Sequence, residues 1–233
     1  MPVNVPALLV PFQLILYPRL VVPTLTVKDI RHLNFHALRQ AGYRGAVFDK
    51  DNCLNIPHED KLVHGLEDAW SECKSAFGER NVVVVSNSAG SHVDDGHIQA
   101  ESVQHHLGVH VLTHLKFKPS YSCIGSIRQY FSALPDPVEG HELVIVGDRI
   151  FTDVVMANRM RQNVRKRDSG RKPQAVWGPL AVWTSGVWQR EATGIRWLER
   201  GICWVVEHCT TAPDTSVNGQ HLSAFLLSPD DKR

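Results

Sequence analysis

Two aspartates, Asp49 and Asp51, lie directly after the short apolar run 45–48. Carboxylates can act as nucleophiles, as general acids or bases, and as oxygen ligands of hard metal ions. Alternate residues of an extended chain point to opposite faces, so both carboxylates can serve one site only if the chain bends between them. The simpler alternative is a solvated turn, since Asp and Asn are common in turns.

Polar residues also follow two further apolar runs. The run 82–85 is followed by Ser86, and the run 143–146 is followed by Gly147 and Asp148. In an open α/β sheet the carboxyl ends of the strands form the site, so we expect these side chains to meet at one edge. The candidate site residues are Asp49, Asp51, Ser86, Asn87, Lys118, Asp148 and Asp153.

The elements that must position these residues follow from the hydrophobic pattern. Strands and helices alternate in the order βαβαβαβ, which predicts a parallel sheet with right-handed crossovers. The first predicted helix has Thr26 as its N-cap and Gly42 as its stop signal. The predicted strands are 45–48, 82–85, 109–112, 143–146 and 181–183, and the predicted helices are 26–40, 66–77, 98–107, 121–131 and 191–208.

Bulk composition restricts the class of protein. A chain of 233 residues that is 43% apolar is expected to bury one core of ordinary size, here over 26–210. The net charge of +1 gives no general attraction to nucleic acid. The five cysteines are odd in number and contain no CxxC pair, which indicates reduced thiols. The thirteen histidines contain no HExxH pattern, which disfavours a histidine metal site.

The first 25 residues form a segment of unusual composition. Arg19 is their only ionised side chain, and prolines at 6, 11, 18 and 23 interrupt the apolar run. Those prolines disfavour a continuous transmembrane helix. No basic residues precede the apolar run, so a secretory signal is not expected, and no Arg-rich presequence is visible. The segment either packs on the domain or lies in a membrane interface, and we favour the interface.

Three further segments lie beyond the last motif. The basic stretch 159–175 is interpreted as a solvated loop, with contact to anionic lipid as the alternative. The Trp-rich helix at 191–208 is interpreted mainly as core packing, although Trp beside Arg is also typical of interfacial surfaces. Residues 211–233 are expected to be weakly ordered.

Four motifs occur along the chain: Asp49-Lys50-Asp51, then Ser86, then Lys118, then the stretch 147–153 with Asp148 and Asp153. In this order they resemble the motifs of the haloacid dehalogenase (HAD) superfamily of phosphotransferases. That resemblance implies a HAD-like Rossmannoid three-layer α/β fold. It implies that Asp49 attacks phosphorus to form an aspartyl-phosphate, while Asp51 protonates the leaving alkoxide and then deprotonates water. Ser86 and Asn87 would bind the phosphate, and Lys118 would offset negative charge.

The resemblance also implies a Mg²⁺ cofactor. Asp49, the main-chain carbonyl of Asp51, and Asp148 would hold the ion, and Asp153 would support or complete its shell. Carboxylate oxygens are the hard ligands that Mg²⁺ prefers. Lys116 competes with Lys118 for the lysine role, but Lys118-Pro119 fits the superfamily pattern better.

Spacing restricts the size of the substrate. Asp49 and Ser86 are 37 positions apart, and Ser86 and Lys118 are 32 apart. Each interval has room for one helix and its loops, so no cap domain is predicted. Capless members of the superfamily have open sites that reach bulky or surface-bound phosphates. An open site with an apolar N-terminal segment therefore suggests a phosphate displayed at a membrane surface.

A closer resemblance is to the mitochondrial phosphatidylglycerophosphatase family. It implies conversion of phosphatidylglycerophosphate to phosphatidylglycerol, on the way to cardiolipin, at the matrix face of the inner membrane. The implied partners are a phospholipid substrate and a membrane, with which the protein would associate peripherally through its N-terminal segment. Whether it forms a homo-oligomer is left open. The alternative is a capless phosphatase of a soluble phosphomonoester or phosphoprotein. The resemblance is carried by 49–54, 85–90, 114–119, 146–149, 152–154 and the proline-punctuated N-terminus.

Overall fold

The computed structural model describes residues 4–167, 178–189, 193–210, 216–217 and 220–227. Strands and α-helices alternate along most of this chain. The α-helices are α1 (Val5–Leu8), α2 (Val10–Leu14), α3 (Phe35–Gln40), α4 (Glu67–Phe77), α5 (Ile98–Leu107), α6 (Tyr121–Ser132), α7 (Val155–Arg167) and α8 (Thr193–Cys209). The strands are β1 (Leu25–Val27), β2 (Gly45–Phe48), β3 (Val82–Val84), β4 (His110–Val111), β5 (Leu143–Gly147), β6 (Leu180–Thr184), β7 (Ser216–Val217) and β8 (Gln220–His221).

Six strands form one parallel sheet in the order β1-β6-β5-β2-β3-β4. Helices cover both faces because alternate strand residues point to opposite sides. Ala46 and Phe48 pack in a core with α3, α4 and α5. Val47, between them, packs in a second core with α6, α7 and α8. The prediction of a three-layer α/β fold with a parallel sheet is confirmed.

The predicted central elements lie close to where the pattern placed them. Between β2 and β3 the structure has one α-helix, α4, and between β3 and β4 it has α5. Neither interval forms a further domain over the strand ends, as the spacing indicated. Helix α4 buries Trp70, Cys73 and Phe77 on one side, which is the apolar stripe of its sequence.

The predicted helix over 26–40 is wrong for 26–34 and confirmed for 35–40. Thr26 lies within β1, which pairs with β6, and helix begins only at Phe35, where the side chain of Asn34 caps it by accepting from the Ala37 N–H. Leu25, Ile30, Leu33 and Leu38 resemble a helical stripe in spacing, and all four are buried, but they belong to four different local structures. These are β1, a 3-10 helix (Ile30–His32), an isolated bridge from Leu33 to Leu226, and α3. Pairing with a distant strand overrides the local pattern.

Residues 4–24, hereafter the N-terminal arm, have two different faces. Val10, Leu20 and Val21 are buried in the core beside α7 and α8. The arm therefore packs on the domain, which was one of the two alternatives. The other alternative, contact with a membrane interface, stays a prediction, although the arm also exposes an apolar surface. The exposed apolar residues are Val5, Leu8, Leu9, Phe12, Ile15, Leu16 and Tyr17.

The remaining segments differ from the expectations in part. Residues 159–167, predicted as loop, belong to α7, and 168–175 lie outside the described residues. Of the C-terminal segment 211–233, which was expected to be weakly ordered, residues 211–215, 218–219 and 228–233 lie outside the described residues. Within the described part, Phe225 is fully buried against Tyr43. Its carbonyl accepts from the Asn34 N–H at 2.9 Å. Within the described residues, no helix combines the length and apolar character that crossing a membrane requires.

Candidate active site

The chain leaves the sheet immediately after β2. The Asp49 N–H still donates to the Val146 carbonyl at 2.9 Å, which fixes Asp49 at the end of the strand. Three residues later Asn52 has a φ of 60°, a left-handed conformation that Asn tolerates better than most residues. Lys50 and Asp51 therefore lie in a tight loop, and the bend that the Asp49–Asp51 spacing requires is present.

Three buried carboxylates meet at the carboxyl ends of β2 and β5. One oxygen from each of Asp49, Asp148 and Asp153 lies within 4.8 Å of the others. Lys118 reaches into this cluster, and its Nζ lies 2.7 Å from Oδ1 of Asp49 and 2.7 Å from Oδ1 of Asp153. Lys118 is 1% exposed, whereas Lys116 is exposed, so Lys118 is the lysine of the site.

The loop after β5 fixes Asp153. Its Oδ2 accepts from the Thr152 hydroxyl at 3.1 Å and from the Arg149 N–H at 3.3 Å. Gly147 leaves room for this carboxylate, because a Cβ at that position would lie 2.3 Å from Cγ of Asp153. With both oxygens bonded, Asp153 holds the Lys118 ammonium in place.

Asp148 is held by side chains from α8 and β6. The Arg196 guanidinium, on α8, donates to its Oδ2, and the Trp183 Nε1–H donates to its carbonyl at 3.0 Å. The other oxygen, Oδ1, is buried and has no hydrogen-bond partner. An all-oxygen donor set with an unpaired buried carboxylate oxygen fits a hard divalent cation. Asp49, Asp148 and Asp153 are therefore the residues that could bind a metal.

The charges of the cluster are coupled. Burial raises the pKa of Asp148 well above its usual range, and the Asp49 carboxylate raises it further, while Arg196 opposes both effects. Burial likewise raises the pKa of Asp49 against the opposing effect of Lys118. Burial alone would lower the pKa of Lys118, but the Asp153 and Asp49 carboxylates raise it, so the ammonium stays charged. The site is thus an acidic cluster with a fixed cation inside it.

Asp51 belongs to a second, more open group of contacts. The Ser88 hydroxyl donates to its Oδ2 at 3.0 Å, and the Ser86 and Ser88 hydroxyl oxygens lie 2.9 Å apart. Its Oδ1 lies 2.7 Å from Nζ of Lys50, which is fully buried and also donates to the Glu59 carbonyl at 3.0 Å. This network fixes the direction of the Asp51 carboxylate.

Asn87 and His114 join the Ser86 loop to the Lys118 loop. Oδ1 of Asn87 accepts from the Lys118 N–H at 2.7 Å. The two ring nitrogens of His114 lie 2.8 Å from the Ser86 carbonyl and 2.9 Å from the Lys116 carbonyl. Burial lowers the pKa of His114. The binding of substrate phosphate by Asn87 stays a prediction, because its amide is used here to position Lys118.

The N-terminal arm contacts the same loop. Nδ2 of Asn4 donates to the Lys118 carbonyl at 2.8 Å, and Arg159 on α7 joins the Pro119 carbonyl to Oε1 of Gln13. The arm thus lies at the edge of the site, although it precedes Asp49 by more than twenty positions in the chain. Proximity of this kind is not visible in the sequence.

Four contributors were missed by sequence reasoning. Lys50 and Ser88 lie within the motifs themselves. The signal that could have found them is their closeness in sequence to Asp51 and Ser86. Arg196 and Asn4 lie 48 and 114 positions from their partners, and no local pattern marks them.

Comparison with known proteins gives one decisive match. The family model for mitochondrial PGP (phosphatidylglycerophosphate) phosphatases matches residues 5–167, which include every predicted site residue. The chain belongs to the mitochondrial PGP phosphatase family. It is therefore a phosphatase. No solved protein structure matches it.

Individual relatives agree with the family. The mitochondrial phosphatidylglycerophosphatase of Saccharomyces cerevisiae is 33% identical over 67% of this chain and 83% of its own length. The chloroplastic phosphatidylglycerophosphate phosphatase 1 of Chlamydomonas reinhardtii is 39% identical over 60% of this chain and 50% of its own length. The chloroplastic/mitochondrial phosphatidylglycerophosphate phosphatase 1 of Arabidopsis thaliana is 35% identical over 60% and 38%. The chain thus spans half or less of the two plant-type relatives.

Proposed function

We propose that this phosphatase hydrolyses phosphatidylglycerophosphate to phosphatidylglycerol and inorganic phosphate, using Mg²⁺ and an aspartyl-phosphate intermediate. Family membership and the names of the relatives support the substrate. The observation that carries the proposal is the placement of the N-terminal arm. The arm exposes an apolar surface, and its Asn4 donates a hydrogen bond to the loop that carries Lys118. A surface suited to lipid therefore lies next to the candidate phosphate site.

In the first step an oxygen of Asp49 attacks phosphorus, and the bond between phosphorus and the ester oxygen breaks. Asp49 suits this role because the end of β2 fixes its backbone and because its Oδ1 already accepts from the Lys50 N–H at 2.7 Å. Lys118 lies beside the nucleophile and reduces the repulsion between the Asp49 carboxylate and the anionic phosphate.

Asp51 acts as the general acid and then as the general base. It gives its proton to the glycerol oxygen as that oxygen leaves, and in the second step it takes a proton from water. That water attacks the aspartyl-phosphate, which releases inorganic phosphate and restores the Asp49 carboxylate. Ser88 and Lys50 hold Asp51 in one direction, so the same carboxyl can serve both steps.

The phosphate oxygens are bound by the Ser86 hydroxyl and the Lys118 ammonium, with Asn87 as a further candidate. Asp49, Asp148, Asp153 and the main-chain carbonyl of Asp51 are the candidate ligands of Mg²⁺. When bound, the cation would neutralise phosphate charge during the transfer. The buried Oδ1 of Asp148 has no hydrogen-bond partner and is therefore the oxygen most directly available to the cation.

The apolar surface of the arm favours a membrane-bound substrate over a soluble one. Seven apolar side chains are exposed on it, and such surfaces bind the boundary between lipid headgroups and acyl chains. We place the enzyme peripherally at the matrix face of the mitochondrial inner membrane, in a pathway leading to cardiolipin. Two of the three relatives named above carry "mitochondrial" in their names.

Phosphate release from phosphatidylglycerophosphate in mixed micelles, measured beside a panel of soluble phosphomonoesters and a phosphopeptide, tests the proposal. We expect a kcat/KM for the lipid at least about a hundredfold above that for any soluble compound, since remote binding energy is used only by the complete substrate. A soluble ester or phosphopeptide hydrolysed as well as the lipid would identify the alternative, a capless phosphatase of soluble substrates.

A further inference from the structure

Helix α8 has one buried face that serves the active site. Arg196, Glu199, Cys203 and Val206 are at most 9% exposed. Arg196 donates to Asp148, and Oε1 of Glu199 accepts from the Phe151 N–H at 3.2 Å. The first turns of α8 therefore lie against the loop that follows β5.

The opposite face of α8 is apolar and exposed. Trp197 is 78% exposed, Trp204 is 60%, Leu198 is 55% and Val205 is 49%. With Gly201 these residues form one arc of the helix, hereafter the α8 stripe, since positions separated by three, four or seven residues share a face. Inside this arc there is no Asp, Glu, Lys or Arg; Arg200 and Glu207 lie at its edge. Large exposed apolar patches on soluble domains mark interaction sites.

The stripe is close to both the site and the N-terminal arm. Trp197 follows Arg196 directly, so one helix diameter, about 10 Å, separates the outer surface of α8 from the carboxylate cluster. Further along the helix, Sγ of Cys203 lies 3.4 Å from the Val21 carbonyl of the arm. Val10, Leu20 and Val21 share a core with Cys203 and Val206. The arm and α8 are therefore neighbours whose outer faces are both apolar.

We infer that the α8 stripe is a second lipid-contacting surface, which docks on the bilayer together with the N-terminal arm. The inference rests on the proposed function, since a lipid substrate requires the site to approach the membrane. Tryptophan is enriched at the membrane–water interface, where its apolar ring and N–H are both accommodated. A second copy of the chain is the other possible occupant. Stable protein interfaces use roughly 20–30 residues a side, and the stripe offers far fewer.

Substitution of the two exposed indoles tests the inference. The variant carries Trp197→Gln and Trp204→Gln, and Ile98→Gln is the matched control, because Ile98 is 73% exposed on α5. Each protein is mixed with vesicles of phosphatidylcholine and a minority of phosphatidylglycerol, and the bound fraction is measured by co-sedimentation. Tryptophan quenching by brominated phosphatidylcholine reports insertion, and p-nitrophenyl phosphate hydrolysis reports the state of the site.

We expect the double variant to bind vesicles about tenfold more weakly, because burying a large apolar side chain contributes enough for that change. Brominated lipid should quench the wild type and the control but not the double variant. Hydrolysis of p-nitrophenyl phosphate should be unchanged, while turnover of phosphatidylglycerophosphate in vesicles should fall with binding.

Two outcomes would overturn the inference. One is unchanged vesicle binding and unchanged quenching in the double variant. The other is a wild-type dimer in sedimentation equilibrium that the double substitution dissociates, which would assign the stripe to a second copy of the chain. Failure of the proposed function can be distinguished from failure of this inference. The micelle assay contains no vesicles, so a wild type that hydrolyses no phosphatidylglycerophosphate there contradicts the proposed function and not the role of the α8 stripe.

Discussion

Nζ of Lys118 lies 2.7 Å from Oδ1 of Asp49, and both side chains are buried. A buried carboxylate without a cation beside it would take up a proton and lose its nucleophilic charge. Lys118 opposes the effect of burial on the pKa of Asp49 and so favours the charged form of this carboxylate. The same ammonium pairs with Asp153, so one lysine contacts two of the three carboxylates in the acidic cluster.

Substitution of Asp49 by Asn should abolish turnover and preserve the fold. An amide cannot serve as the nucleophile, and losing a covalent nucleophile costs roughly four orders of magnitude or more in kcat. Phosphate release measures the loss, and thermal unfolding confirms the fold. Asp68→Asn, an exposed carboxylate on α4, is the control and should keep full activity. Substantial Mg²⁺-dependent turnover by Asp49→Asn would exclude the aspartyl-phosphate mechanism.

Removal of the Asp148 carboxylate should act through the metal. We expect Asp148→Ala to require at least about tenfold more Mg²⁺ for half-maximal activity, or to be inactive, because a hard oxygen ligand is lost from a small shell. A Mg²⁺ titration of phosphate release provides the measurement. If the titration matches that of the wild type, Asp148 is not a ligand, and Asp153 becomes the leading candidate.

Arg196 should control the protonation of Asp148. In the folded protein Arg196 lowers the pKa of this carboxyl against the effect of burial, so Arg196→Gln should raise it. A protonated carboxyl binds Mg²⁺ poorly, so the acidic limb of the activity profile should move to higher pH. The pH profile of kcat/KM at fixed Mg²⁺ tests this. A uniform loss of activity with the limb unmoved would show that Arg196 contributes only to folding.

Asp94 should make stability dependent on pH. Burial would raise the pKa of Asp94, but the N–H groups of Gly90, Gln99 and Ala100 donate to its carboxylate and lower it on balance. A lowered folded-state pKa stabilises the fold at and above the unfolded value of 3.8, and that stabilisation disappears as the pH falls through the folded value.

Asp94→Ala should therefore lower the free energy of unfolding by about 1 kcal/mol at neutral pH, as for a lost helix cap. The difference from wild type should shrink below pH 3.8. Urea unfolding at several pH values measures it, with the exposed neighbour Asp95→Ala as control. A difference that is constant with pH would contradict the role of the Asp94 charge.

The exposed face of the N-terminal arm should contribute to membrane binding. Phe12, Ile15 and Leu16 are 70%, 81% and 76% exposed, and replacing all three by Gln should weaken vesicle binding by about tenfold or more. Hydrolysis of p-nitrophenyl phosphate should not change. Deletion of residues 1–24 would be a poorer test than these substitutions, because it would also remove the buried side chains of Val10, Leu20 and Val21. Equal vesicle binding by the triple variant would assign the arm to folding alone.

The central half of the sheet and the acidic cluster with Lys118 could be predicted from sequence. Strands β2, β3 and β5 are short apolar runs buried on both faces, and each ends in a polar motif. The pattern therefore predicts both that these runs are strands and where they end. Helices α4 and α5 fill the intervals between the motifs and have apolar stripes that match one core. These are local signals, and local signals are what a single sequence contains.

The remainder depends on partners far away in the chain. Strand β1 has three residues and exists because β6 pairs with it, so its own spacing could be taken for a helix. In the sequence Arg196 is one of several arginines in a Trp-rich helix, and only the structure shows that it pairs with Asp148. The division of the arm into a buried and an exposed face likewise follows from its contacts with α7 and α8.

The pairing of Arg196 with Asp148 has a consequence for biosynthesis. A growing chain emerges from its N-terminus, so Asp49, Asp148 and Lys118 all leave the ribosome before Arg196 does. Until α8 docks, the Asp148 carboxylate lacks the cation that balances its burial. Helix α8 therefore completes the candidate site after its other members have been made, and a translation product that ends before α8 would contain Asp49, Lys118 and Asp148 without the guanidinium that pairs with Asp148.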